Sequence, residues 1–254
     1  MIKNRPLKHS NPNMKTQNND CTILASRLSA NVTGTADQVL VGLNWTVVVG
    51  PLGVGLSHSP ARGTNGCNGL PAPGSYAGQK LMELTRLTAS ENVFEQAIGY
   101  AAINAHHNRF DLQGSEVNGL DLIEDYGEQT VVIGQFPGLM KRVPNAAIIE
   151  REPGPGCYPE EAAADLLPAA KQVLITGSAL TNGSLAGLLP IARQAFVALV
   201  GPSCPLNPLL FEFGIDAISG FVVRNTEALL HVAMEGGAVA AMRPHGRFLT
   251  LARE

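Results

Sequence analysis

From Val131 to Val223 the sequence repeats one pattern, a short run of apolar and β-branched residues followed by a segment of helix length. The runs are VVIG (131–134), AAIIE (146–150), QVLITG (172–177), FVALVG (196–201) and AISGFVV (217–223). Helices are expected over Gly138 to Val143, Pro159 to Ala169, Gly183 to Gln194, Pro208 to Phe213 and Thr226 to Met234. Strands that are apolar along their whole length must be buried on both faces, which a parallel sheet covered by helices achieves. Right-handed crossovers then make a Rossmann-like, doubly wound, mostly parallel sheet the expected architecture.

The residues before this repeat read differently. Residues 39–50 predict a strand, Pro51 interrupts it, and Leu52 to His58 predicts a second strand of a hairpin that opens into the Gly- and Pro-rich loop SPARGTNGCNGLPAPGS. Helices are expected over Cys21 to Ala30, Tyr76 to Thr85 and Ser90 to His107. The last opens on an N-cap serine and carries Ala97, Gly99, Ala101, Ala102 and Ala105, small residues that predict close packing. The chain therefore divides into a disordered tail (1–20), a smaller N-terminal α+β domain (21–118) and the Rossmann-like domain (119–254).

Composition narrows the partners. No apolar stretch approaches the roughly 20 residues of a membrane span. The first twenty residues lack the apolar core of a secretory signal. The net charge of −3 becomes more negative once Lys3, Arg5, Lys8 and Lys15 of the tail are set aside, so a clustered cationic surface for nucleic acid is not expected. Cys21, Cys67, Cys157 and Cys204 form no CxxC pair, which speaks against a zinc knuckle or disulfide framework and for a cytoplasmic setting.

Ligands of open parallel sheets sit outside the carboxyl ends of the strands. Here those ends read Gly134-Gln-Phe-Pro-Gly, Glu150-Arg-Glu-Pro-Gly, Thr176-Gly-Ser-Ala-Leu-Thr-Asn-Gly and Gly201-Pro-Ser-Cys-Pro-Leu. Gly134, Gly177 and Gly201 permit close backbone approach to a ligand, or equally a tight turn. None of the loops matches GxGxxG or GxxxxGK[ST]. Glu150 stands where an acidic residue accepts hydrogen bonds from ribose hydroxyls, or where it would simply pair with Arg151. Thr176, Ser178, Thr181, Asn182 and Ser203 offer neutral hydrogen-bonding groups, although Asn182 before Gly183 equally suits a cap. Cys204 has no cationic neighbour in sequence and reads as an inert small residue. His58, Cys67, His106 and His107 could converge on a soft metal, but adjacent histidines at a helix end also suit the helix dipole.

The run GQFPGLMKRVPNAAIIEREPGPG, followed by LLPAAKQVLITGSALTNGSL and VGPSCPLNPLLFEFGIDAISGFVV and ending in EALLHVAMEGG, resembles the proteins described as putative heavy-metal chelation, formerly a domain of unknown function. Upstream, GLNWTVVVGPLGVGLSHSP and SENVFEQAIGYAAINA resemble that family's N-terminal domain. The resemblance implies an enolase N-terminal-like domain on a Rossmann-like domain, with a site between them. It also implies a link to metal handling through a pterin-like or other chelating compound. By motif the site comprises Gly134, Phe136, Pro137, Glu150, Pro153, Thr176, Gly177, Asn182, Gly201, Pro202, Ser203, Cys204 and Pro205. The chain departs from the pattern at Cys204, where Thr is expected, and at Ser178 and Thr181.

The favoured reading is a small-molecule-binding protein, an enzyme on a nucleotide-like or pterin-like compound. Its catalytic residues and cofactor are left unassigned, because no general base or nucleophile stands out in the loops. Direct soft-metal binding through His58, Cys67 and His106 is one alternative, and a non-catalytic accessory protein or homodimer is another.

Overall fold

The computed structural model describes residues 12–60 and 69–253. Helix α1 (Pro12–Ser29) leads into an antiparallel meander of β1 (Gln38–Val41), β2 (Trp45–Val49) and β3 (Val54–His58), on which α2 (Leu81–Thr85) and α3 (Val93–His107) pack. The second part holds β4 (Thr130–Ile133), β5 (Ala147–Glu150), β6 (Tyr158–Pro159), α4 (Ala163–Leu166), β7 (Gln172–Thr176), α5 (Ser178–Thr181), α6 (Leu185–Leu188), β8 (Phe196–Val200), β9 (Ala217–Val223), α7 (Thr226–Met234), α8 (Val239–Met242) and β10 (Gly246–Ala252).

The large sheet runs β10-β9-β8-β7-β4-β5-β6, parallel except where β10 pairs with β9. The chain winds outward from β4 to β6, then returns to the other side of β4 at β7. That reversal makes the sheet doubly wound, as expected, and sets its switch point between β4 and β7. Successive residues face opposite layers. Val131, Val173 and Val197 belong to one apolar core, while Val132, Leu174 and Ala198 belong to the other. Each fully buried side chain of this size contributes about 1.5–3 kcal/mol, so a one-residue slip in register would be costly.

Several elements differ from expectation. Residues 39–50 form two strands rather than one, turning at 42–44, so the unit is a three-stranded meander. A Cβ on Gly42 would lie 2.6 Å from the Ala233 carbonyl oxygen, and Asn44 Nδ2 donates to Gly236 O at 2.7 Å, so contacts with the far end of α7 fix the turn. Helix α1 begins at Pro12 rather than Cys21, reaching into the assigned tail. Its Leu24, Ala25 and Leu28 lie in the core of the large sheet with Leu185 and Leu188, and such packing sustains helix through residues of modest propensity. The helix expected from Tyr76 is reduced to α2. The last N-terminal helix starts at Val93, capped by Asn92, whose Oδ1 accepts from the Phe94 and Glu95 amides; Ser90 Oγ instead donates to Glu95 Oε2 at 2.6 Å.

The helices expected over Pro208 to Phe213 and Thr226 to Met234 are present over those bounds, the first as a 3-10 helix, and the one expected over Pro159 to Ala169 is a mixed 3-10 and α-helical stretch over 160–169, whereas Gly138 to Val143 holds only a turn at Leu139–Lys141 and Gly183 to Gln194 only α6. Gly187 adds backbone entropy and Pro190 removes a donor, which keeps the helix after β7 short, while Pro159 and Pro208 stand at helix starts, where the missing N–H costs nothing. Strand β10 was not expected. It completes the sheet edge through a seven-residue register from Gly246 opposite Val223 to Ala252 opposite Ala217.

Candidate functional site

The switch point opens a cleft between the large sheet and the meander. Gly134, just past β4, has φ +98°, and a Cβ there would lie 2.5 Å from Thr176 Cγ2 at the end of β7, so only glycine lets these two strand ends approach. Glu150 closes β5 beside them. Gly177 is required for a different reason, since its Cβ would lie 2.6 Å from Cys204 Sγ. From the other side, β3 ends in His58, whose amide donates to Ser203 Oγ at 2.9 Å, and β2 begins with Trp45, whose ring meets the His58 ring edge-on at 6.0 Å.

The cleft has two lobes, of about 510 and 470 Å³, which share His58, Gly134, Glu150, Thr176 and Ser178. The first lobe continues past Gln96, Arg151, Glu160, Asn182 and Ser184. The second runs between Trp45, Phe136 and Phe248 and past Asn118, Ser203 and Arg243. Volumes of this size hold a small organic molecule.

At the shared seam, hydrogen bonding is incomplete. Glu150 Oε1 at the seam and Trp45 Nε1 in the second lobe's wall are both buried without a hydrogen-bond partner among the described residues. Such unpaired groups are uncommon in folded proteins and carry a desolvation cost of about 1–3 kcal/mol each. Burial raises the Glu150 carboxyl above its ordinary range, and desolvation by the cleft walls lowers the His58 imidazole. Both shifts favour the uncharged forms. In the first lobe Arg151 faces Glu160 at 3.5 Å, and Asn182 Oδ1 accepts from the Ser184 amide at 3.0 Å and its hydroxyl at 2.8 Å.

Of the residues singled out by sequence, Gly134, Phe136, Pro137, Glu150, Thr176, Gly177, Asn182, Gly201, Pro202 and Ser203 line this cleft. Pro153, Cys204 and Pro205 do not. Pro153 is exposed on the loop after β5, and Pro205 is buried behind the lining loop. Cys204 is 0% exposed, with burial pushing its thiol well above the ordinary range, as suits an inert residue. Sequence reasoning missed Trp45, Gln96, Asn118, Arg243 and Phe248, which come from the meander, α3, the link before β4 and the C-terminal segment, and passed over Gln135 within the first strand-end loop. Only Trp45, the single tryptophan of the chain, offered a signal.

The donors proposed for a metal do not converge. His58 is in the cleft, and so is the first turn of α3 through Val93 and Gln96. His106 stands ten residues further along that helix, about 15 Å by its rise, where Nδ1 accepts from the Thr33 amide at 3.3 Å. His107 Nε2 contacts Leu28 O at 2.8 Å, and Cys67 lies outside the described residues. Among the described residues no three His, Cys, Asp or Glu side chains come together to hold a metal ion. The described donors, His58, His106 and His107, do not form a shared site for a heavy metal.

Comparison with known proteins agrees with this architecture. No curated protein matches the chain. A solved structure of a protein of unknown function from the DUF364 family of Desulfitobacterium hafniense is similar at 25% identity, with a TM-score of 0.80 over 92% of this chain and 99% of that one. A second DUF364 protein of unknown function, from Pyrococcus horikoshii, shares the fold at 20% identity, with a TM-score of 0.70 over 93% of this chain and 100% of that one. Two family models described as "Putative heavy-metal chelation" match, DUF4213 over residues 26–107 and DUF364 over residues 118–252. The Rossmann-like sheet, the smaller α+β unit before it and these matches together make the chain a member of the DUF364 putative heavy-metal chelation family.

Proposed function

We propose that the switch-point cleft binds a nucleotide-like or pterin-like molecule and that the protein acts on it as an enzyme. The observation that carries this reading is that two residues lining the cleft, Glu150 and Trp45, each hold a buried polar atom with no hydrogen-bond partner among the described residues, the acceptor Glu150 Oε1 and the donor Trp45 Nε1. A heteroaromatic ring that presents an N–H or amino group to the first and a ring nitrogen or carbonyl to the second would satisfy both. Phe136 and Phe248 on the same lobe supply apolar contact for its faces. A carboxyl raised by burial and an imidazole lowered by desolvation, both lining the cleft, suit general acid–base work, with Glu150 the candidate to give a proton and His58 to take one. A chelating compound made or modified here would connect the family's description with a cleft in which no three described His, Cys, Asp or Glu side chains gather around a metal.

The test is a thermal-shift screen of the purified protein against pterins, adenosine-containing compounds and soft divalent metals. At 100 times its dissociation constant a ligand stabilises by about 2.7 kcal/mol. The expected outcome is a shift with an organic ligand that disappears in Glu150→Ala while the variant still melts cooperatively. Shifts with metals alone would contradict this reading and establish direct metal binding in its place.

A further inference from the structure

The second lobe contains one cation without an anionic partner. Arg243 lines it, immediately after α8, and makes no ion pair among the described residues. Every other described arginine is paired with a carboxylate or, for Arg193, hydrogen-bonded to the Pro190 carbonyl. The backbone that follows Arg243 is well held. His245 O accepts from the Arg224 and Asn225 amides at 2.8 and 3.0 Å, and β10 runs on in full register with β9. Phe248 of that strand lines the same lobe, so the cation and an aromatic wall come from one short, fixed segment. The other ionisable residues of the lobe are His58 and Glu150, and the environment of each favours its uncharged form. Arg243 is the only arginine or lysine that lines the lobe among the described residues.

We infer that Arg243 anchors an anionic substituent, a carboxylate or a phosphate, on the heteroaromatic ligand of the cleft, and so determines which members of that ligand class bind. This rests on the reading of the cleft given above and extends it to the substituent. A guanidinium presents two parallel N–H donors to a planar or tetrahedral oxyanion, a geometry that a lysine ammonium does not reproduce. Because the chain as a whole is negative, at −3, a preference for anions must come from a local cation rather than from its overall field.

Isothermal titration of the full-length protein with two matched pairs tests this, pterin against pterin-6-carboxylate and adenosine against adenosine monophosphate. The wild type is expected to bind the charged member of at least one pair about tenfold or more tighter than its neutral counterpart, the scale of one charge-assisted hydrogen bond. The favoured pair identifies the substituent as carboxylate or phosphate. In Arg243→Gln, checked for an unchanged melt, the ratio is expected to fall to about one, and Arg243→Lys to recover it only in part. Equal binding within both pairs by the wild type, or a ratio that survives Arg243→Gln, would overturn the inference while leaving the cleft as a ring-binding site. Binding of none of the four would overturn both readings together.

Discussion

Glu150 concentrates the electrostatics of the cleft in one side chain. Its carboxyl is raised by burial, so between pH 4.5 and its folded value the native state holds a proton that the unfolded chain has released. The stability associated with that proton is complete below pH 4.5 and is lost as pH rises through the folded value. Glu150→Gln, which cannot ionise, is therefore expected to melt higher than the wild type at pH 8 and to show no such gain at pH 4. Equal differences at both pH values would mean that the carboxyl is not desolvated. Gly134 makes a steric claim of the same size. Gly134→Ala combines a φ of +98° with a collision against Thr176 Cγ2 and is expected to cost about 1–3 kcal/mol in urea unfolding, a loss that Thr176→Ser relieves only in part because the backbone strain remains. Glu150 and Gly134 were both legible from their positions at strand ends. The exclusion of Cys204 from the cleft was not, because it depends on Gly177 closing over the thiol across the sheet, a contact with no trace in local sequence.

At the scale of elements, α3 ties the meander to the large sheet. Asn104 Nδ2 donates to Leu56 O at 2.7 Å and Ser203 O at 2.9 Å, while Asn108 bonds Cys204 O at 3.0 Å, Phe221 O at 3.3 Å and the Leu206 amide at 2.8 Å. Both side chains are almost fully buried, at 1% and 0% exposure, so removing them strands backbone groups from water. Asn108→Ala is expected to lower stability by about 2–4 kcal/mol and to loosen the 203–206 loop, whose Ser203 lines the second lobe. A change below about 0.5 kcal/mol, the scale of an ordinary surface substitution, would show that the loop is held by other contacts. The close packing of this helix was readable from its alanines, and a Cβ on Gly55 would indeed lie 1.8 Å from the Ala101 carbonyl oxygen. The helix expected over Gly183 to Gln194 is shorter in the structure because helix-length spacing between strands says nothing of how far Gly187 and Pro190 will let a helix extend. Strand β10 escaped notice although Phe248, Leu249, Thr250 and Leu251 favour strand, because Arg247 and Gly246 break the apolar run.

The whole molecule is knit across its two sequence regions. Helix α1 lies in the core of the large sheet, Ser57 Oγ and Thr181 Oγ1 share a buried hydrogen bond of 2.8 Å between β3 and α5, and α7 supports the turn of the meander. Unfolding is accordingly expected to be a single transition. Trp45 fluorescence follows the meander, and labelling of Cys204, with the other cysteines replaced by serine, follows the large sheet; their midpoints should coincide. Separate midpoints would show two independent units. Among the described residues no helix is long and apolar enough to cross a membrane. The overall architecture was legible because strand–helix alternation spans much of the chain, whereas the composition of the cleft was only half legible, since Trp45, Arg243 and Phe248 reach it from opposite ends of the sequence.

Trp45 also provides the most direct measurement of the central claim, that the switch-point cleft is the functional site. It is the only tryptophan, it lines the second lobe, and its Nε1 has no partner among the described residues. In a fluorescence titration with pterins and adenosine-containing compounds, a saturable change in Trp45 emission that is lost in Glu150→Ala is the expected result. Emission that stays constant at ligand concentrations sufficient to raise the melting temperature would locate binding elsewhere and contradict the account.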